Sequence, residues 1–165
     1  MSSSAFKTNY QRAITIIQSD TVEIPCPWLM VMTGASTSVG LNTIQVTGAN
    51  FYTLNIKAGD IIINKTANTI SYVRGIIQAD ALDLVSNIFT VQPSNFELYY
   101  SQENAGISYD APVIYNPHST HDYTVLTAGG DIVKFDKIPV GVFPVQIKRI
   151  NTTGSTASST TIALW

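Results

Sequence analysis

Charged side chains are scarce in this chain: 12% of its 165 residues are Asp, Glu, Lys or Arg, about half the usual fraction. The formal net charge is −2. That balance leaves no electrostatic footprint for nucleic acid or an anionic membrane, and the pair Lys148-Arg149 is too small to supply one. Cysteine is nearly absent. The single Cys26 excludes an internal disulfide and a cysteine zinc site, and between Pro25 and Pro27 it reads as a small buried apolar residue. No segment approaches the roughly 18 uninterrupted apolar residues of a membrane-spanning helix. The opening MSSSAFKTNYQRA lacks the basic-then-apolar layout of a signal peptide, so synthesis and folding in cytoplasm are expected.

Catalytic signatures are missing too. There is no GxSxG, HExxH, phosphate-binding loop or Cys-His pair, and Cys26 has no base beside it in sequence. Asp80 and Asp83 flank an Ala-Leu pair, and Asp110, Asp131 and Asp136 read as turn residues. Nothing in the sequence makes them converge as the paired acids of glycoside cleavage must. The expectation is a protein that is not an enzyme and takes no cofactor. Helical periodicity is lacking as well, apart from one short turn near Ala79–Leu82.

β-branched residues are abundant. Ile, Val and Thr together number 52, and Ser with Thr 34. Branching at Cβ crowds a helix and fits a pleated strand, so the expected class is all-β. A surface rich in Ser, Thr and Asn but poor in charge suits a protein held in a permanent assembly rather than a concentrated monomer.

Strand signals run in order along the chain: AITIIQ, VEI, WLMVMT, NTIQV, DIIIN, NTISYVRGI, ALDLV, FELYY, PVIYN, YTVLT, IVKFDKI, VQIKRI and TTIALW. The continuous apolar run WLMVM predicts a strand buried on both faces. KTAN and AGGD read as hairpin turns, and PVGVFP as a kink. Two polar, turn-rich stretches, Thr33–Gly40 and Ser101–Pro112, mark boundaries around a compact middle. Residues 1–13 read as an N-terminal arm anchored by Phe6 and Tyr10. The segments 14–36 and 105–165 then form one split β domain around an insertion at 40–102.

The run YTVLTAGGDIVKFDKIPVGVFPVQIKRINTTGSTASSTTIALW resembles the C-terminal signature of phage head spike-base and related virion structural proteins, which were named from gene transfer agents. The matching positions are Gly129, Gly130 and Asp131, Val133 and Phe135, and Pro139 and Gly141. They continue through Pro144, Val145, Ile147, Lys148, Arg149 and Ile150 to Thr153, Gly154 and Thr156, then Ala163, Leu164 and Trp165. The head of the same pattern is matched by Ser19–Pro25 and Leu29–Gly34. The middle departs from it, because in simple family members the first apolar strand runs almost directly into the hairpin. The inserted stretch is itself similar to a short β module of phage structural proteins, with a Gly-Asp before an apolar strand and a late Asn-Ile-Phe. The resemblance implies a β-sandwich or jelly-roll-like domain interrupted by a small β-barrel-like insertion. It also implies a seat on the capsid and cyclic symmetry, with a homo-pentamer first and a homotrimer next.

Several residues stand out as candidate interface positions. PHSTHD places His118 and His121 three apart beside Asp122. Without a fourth ligand nearby it reads as a solvated contact loop rather than a metal site. Lys148 and Arg149 fall on a strand where they either pair with acids on a neighbouring subunit or the capsid floor, or line a plain solvated face. Tyr99, Tyr100, Tyr109, Tyr115 and Tyr123 would stack on sugars if exposed together, and would otherwise fill core and pleat positions. A closing strand at Thr160–Leu164 is expected to bury Ile162 and Leu164 on one face, with Trp165 packed in the core or against a neighbour. Gly154 is its flexible approach.

The functional expectation is a non-enzymatic bacteriophage virion protein, a capsid decoration or head-vertex spike base. Its partners would be the major capsid protein, further copies of itself and a head fibre or spike protein, with neither nucleic acid nor membrane. It would be made in the host cytoplasm and reside on the capsid surface. The alternative is a tail, baseplate or fibre adsorption module that binds host surface glycan.

Overall fold

The computed structural model describes residues 10–156 and 160–165. The chain is nearly all β, with fourteen strands in three antiparallel sheets among the described residues. No helix among them is long and apolar enough to cross a membrane. Two compact units divide the chain. Named by chain order alone, the inner unit is the continuous segment Thr21–Tyr109, and the outer unit combines the described residues up to Asp20 with those from Asp110 to Trp165.

The inner unit carries one seven-stranded sheet. Its strands are β2 (Met30–Ala35), β3 (Ser38–Gly40), β4 (Thr43–Gln45), β5 (Ile61–Asn64), β6 (Thr69–Gln78), β7 (Ala81–Leu84) and β8 (Asn95–Tyr99). Their order is β2-β8-β5-β6-β7-β4-β3. The two end strands of that order are consecutive in the chain, joined only by Ser36 and Thr37. Three residue steps reach at most about 11 Å, whereas seven flat strands would span about 29 Å. The sheet must therefore curl until its ends meet. At that corner Ser36 N–H donates to the Ser94 carbonyl before β8, and Thr37 N–H to the Gln45 carbonyl on β4 (2.9 and 2.8 Å). Register shifts within the ten-residue β6 supply local bends.

The concave side is filled by apolar side chains, among them Phe51, Phe89, Phe96, Ile62 and Leu82, each essentially inaccessible to water. Each such burial is worth about 1.5–3 kcal/mol. β5 is buried at all four positions, as the run IIIN suggests for a central strand. Asn64 closes the KTAN turn by accepting the N–H groups of Thr66 and Ala67 (2.9 and 3.0 Å).

The division corrects the sequence-based boundaries. The segment 14–36 does not travel as a piece with the outer domain, because β2 pairs with β8 and belongs to the inner sheet. Nor is β2 buried on both faces. It lies at the end of the strand order with no residue fully buried, and Met30 is 44% exposed. Residues Ala79 and Asp80 turn the β6–β7 hairpin rather than starting a helix. Among the described residues the one α-helical turn lies at Gln102–Ala105, where the Ser101 hydroxyl accepts Asn104 N–H (3.0 Å) and Gly106 ends it in the left-handed region.

The outer unit holds two sheets. One, in the order β1-β14-β9-β12, contains β1 (Ala13–Thr15), β9 (Val113–Asn116), β12 (Gly141–Phe143) and β14 (Ile162–Leu164). The other, in the order β11-β10-β13, contains β10 (His121–Thr127), β11 (Ile132–Ile138) and β13 (Ile147–Ile150). The PVGVFP kink thus contains a strand, β12, paired with β9. Tyr123 and Thr161 join their hydroxyls at 3.1 Å between the sheets, and Phe135 meets Phe143 edge-on at 4.9 Å. The Ser/Thr stretch after β13 continues along β10. Asn151 N–H donates to the Thr124 carbonyl, and Thr156 exchanges bonds with Asp122 (2.8–2.9 Å). Gly154 is a close approach rather than a free hinge. Its φ is +82°, and a Cβ there would sit 2.6 Å from Thr124 Oγ1.

Candidate functional site

The strand that closes the sequence is interior to its sheet: β14 pairs with β1 on one side and β9 on the other. Its phase is opposite to the expected one. Ala163 is fully buried, while Ile162 and Leu164 are half-buried. The register explains this. Ile14, Ala163, Ile114 and Phe143 stand side by side across the four strands. Ala163 and Ile114 of that row are both fully buried. Successive side chains alternate faces, so the neighbouring rows point the other way. They are Thr15, Ile162, Tyr115 and Val142, and beside them Ala13, Leu164 and Val113.

This second face carries no charged side chain and only one hydroxyl besides the tyrosine's. Val142 is 42% exposed, and the adjoining Val140 55%. An antiparallel sheet with one solvated face normally alternates apolar with polar residues. Here both faces are apolar. A monomeric surface rarely gathers such residues contiguously unless something binds there.

The other sequence candidates are dispersed. Phe6 lies outside the described residues. Tyr10 is half-buried, His118 is exposed, and Lys148 and Arg149 are half-buried on β13. Arg149 Nε donates to Asn151 Oδ1 at 2.9 Å within its own unit. Trp165 is half-buried, and its backbone extends the β1–β14 ladder through Gln11 N–H and the Arg12 carbonyl (2.7 and 3.0 Å).

His121 and Asp122 are consecutive on β10 and so project to opposite sides. The imidazole of His121 lies edge-on to Tyr123 at 6.3 Å. Asp122 instead accepts Lys137 N–H at 2.8 Å and lies 3.8 Å from Lys134 Nζ. That bond holds Lys137 at φ +56°, the extra residue of a bulge in β11. Among the described residues no group of three or more His, Cys, Asp or Glu gathers as metal ligands would.

The tyrosines divide between the units. Tyr99 and Tyr123 are buried, and burial pushes both phenols above their ordinary range. Tyr100 donates to the Leu54 carbonyl (2.6 Å), and Tyr109 stacks on Trp28 with centroids 5.3 Å apart. Tyr115 alone of this set belongs to the apolar face.

Two features escape the sequence. Asp60, wholly buried before β5, accepts the N–H of Lys57 and of Ser101 and the Asn104 amide (2.7–2.8 Å), tying the turn before β5 to the Ser101–Asn104 turn. Asp20 accepts both the N–H and the hydroxyl of Thr153 at 3.0 Å, and those bonds lower its pKa against a smaller desolvation effect. Only the Gly-Asp dipeptide before β5 hints at the first.

No family model, curated protein or solved structure matches the chain.

Proposed function

We propose that this chain is a non-enzymatic structural protein of a bacteriophage virion, a capsid decoration or head-vertex spike-base protein that works as a symmetric oligomer. The observation that carries the reading is the second apolar face of the four-stranded sheet, on Tyr115, Val142, Ile162 and Leu164. Such a face gains free energy only when another surface covers it, and a permanent seat in a shell provides that cover. The spike-base-like signature at residues 123–165 supports the same reading, because it spans most of β10 and all of β11, β12, β13 and β14 in that sheet's unit. Low charge fits a surface that meets other protein throughout its working life. The mechanism is mechanical. Apolar area buried against the major capsid protein and neighbouring copies stiffens the shell or seats a head fibre, and mass action stabilises the fold in return. Five-fold closure is favoured, with three-fold next.

The test is to mix purified protein with capsids that lack it, measuring mass by light scattering before and after. A closed oligomer that coats the shell, and loses that ability in Tyr115→Lys, supports the proposal. A monomer that ignores the shell overturns it and favours a tail or fibre adsorption module, with the stack of exposed Trp28 on half-buried Tyr109 as its first place to look for glycan.

A further inference from the structure

β11 lies at the edge of its three-stranded sheet. Its ladder with β10 pairs Val125 with Val133 and Tyr123 with Phe135, and Thr127 N–H donates to the Asp131 carbonyl. In an antiparallel pair these hydrogen-bonded residues alternate with ones whose backbone points away. The N–H and C=O of Ile132, Lys134 and Asp136 therefore face outward, and they have no hydrogen-bond partner among the described residues. The regular ladder runs to Phe135; Asp136 and Lys137 then stand together opposite Asp122 as the bulge, and because Lys137 N–H turns back to Asp122 Oδ1, the Asp136 carbonyl on the other side of that peptide still points outward.

An open edge is a template for another strand, and proteins usually blunt it with a lysine whose charge repels an approaching copy. Here that charge is answered. Lys134 Nζ lies 2.8 Å from Asp136 Oδ1, two residues along on the same face. We infer that β11 pairs antiparallel with β11 of a second copy about a two-fold axis at Phe135. That register sets Lys134 opposite the partner's Asp136 and Asp136 opposite the partner's Lys134. Both are outward-facing residues, so backbone parity and charge agree. A shift of one residue pairs an outward backbone with an inward one. A shift that centres Lys134 sets like charges opposite each other, which is unfavourable.

The pairing would make one continuous six-stranded sheet, β13-β10-β11 followed by the same strands of the partner in reverse. It goes beyond the capsid reading and stands whether or not a shell is the seat. A ring closes through heterologous contacts, so a two-fold edge contact of this kind would join one ring to the next.

The experiment uses sedimentation over a micromolar-to-millimolar dilution series with wild type, Lys134→Asp, Asp136→Lys and an equimolar mixture of the two variants. The wild type should form dimers. Each variant alone, with two like-charged pairs at the edge, should associate at least about tenfold more weakly. The mixture should recover a heterodimer, since one edge is then wholly acidic and the other wholly basic. Amide exchange on the wild type gives a readout that needs no variant: Lys134 and Asp136 N–H should gain protection as concentration rises. A wild type that stays monomeric, a mixture that forms no heterodimer, or protection at those amides that ignores concentration overturns the inference.

Discussion

Replacing Ala163 by Leu and, separately, Ile162 by Thr sets two adjacent residues of β14 against each other. Ala163 is fully buried between Ile14 and Ile114 on the inner face, whereas Ile162 stands half-buried on the outer one. A leucine at 163 forces three extra carbons into a packed layer, at a cost of about 1–3 kcal/mol or more. Threonine keeps the β-branched shape at 162 and removes apolar contact that is only partly sheltered, so the loss should be about 1 kcal/mol or less, against the 2–5 kcal/mol typical of truncating a core isoleucine. The assay is urea unfolding followed by a probe in the outer unit, such as amide exchange on β10, because two units need not unfold as one transition. Ala163→Leu should shift the midpoint to lower urea clearly more than Ile162→Thr. The opposite ranking would mean that Ile162 faces the core, and with it the outward apolar face and the function argued from it would fall.

Asp60 to Asn should destabilise the inner unit by about 1–3 kcal/mol, because an amide nitrogen replaces one of the two buried oxygens that three donors now share; an unchanged denaturation midpoint for that unit would remove Asp60 as its tie. Asp20 has a pKa held below its ordinary value chiefly by Thr153 N–H. The stability it contributes is thus present above the ordinary carboxylate pKa and lost as pH falls through the lowered value. The effect is small because the side chain is exposed, and in Asp20→Asn the outer unit should show a weaker loss of stability between neutral and acid pH than the wild type.

Much of the strand content is readable along the chain, because Ile, Val and Thr announce extended backbone locally. DIIIN, the KTAN and AGGD turns and the strand IVKFDKI all declare themselves within a few residues. What pairs with what is not local. WLMVM looks like a central strand, yet β2 ends up at the end of its sheet's order, since burial depends on neighbours far along the chain. In the sequence the candidate site is legible only as the alternation within TTIALW. Alternation shows that residues 162 and 164 share a face; which face is inward depends on what stands across from Ala163.

The all-β class, the scarcity of charge and the place of the turns can be read residue by residue, since side-chain branching, ionisation and turn chemistry are local properties. The tertiary structure alone decided the phase of β14, the second apolar face, the burial of Asp60 and the open edge of β11. Each of these is a relation between segments tens of residues apart, and a strand's inner and outer sides acquire meaning only when a partner sheet covers one of them.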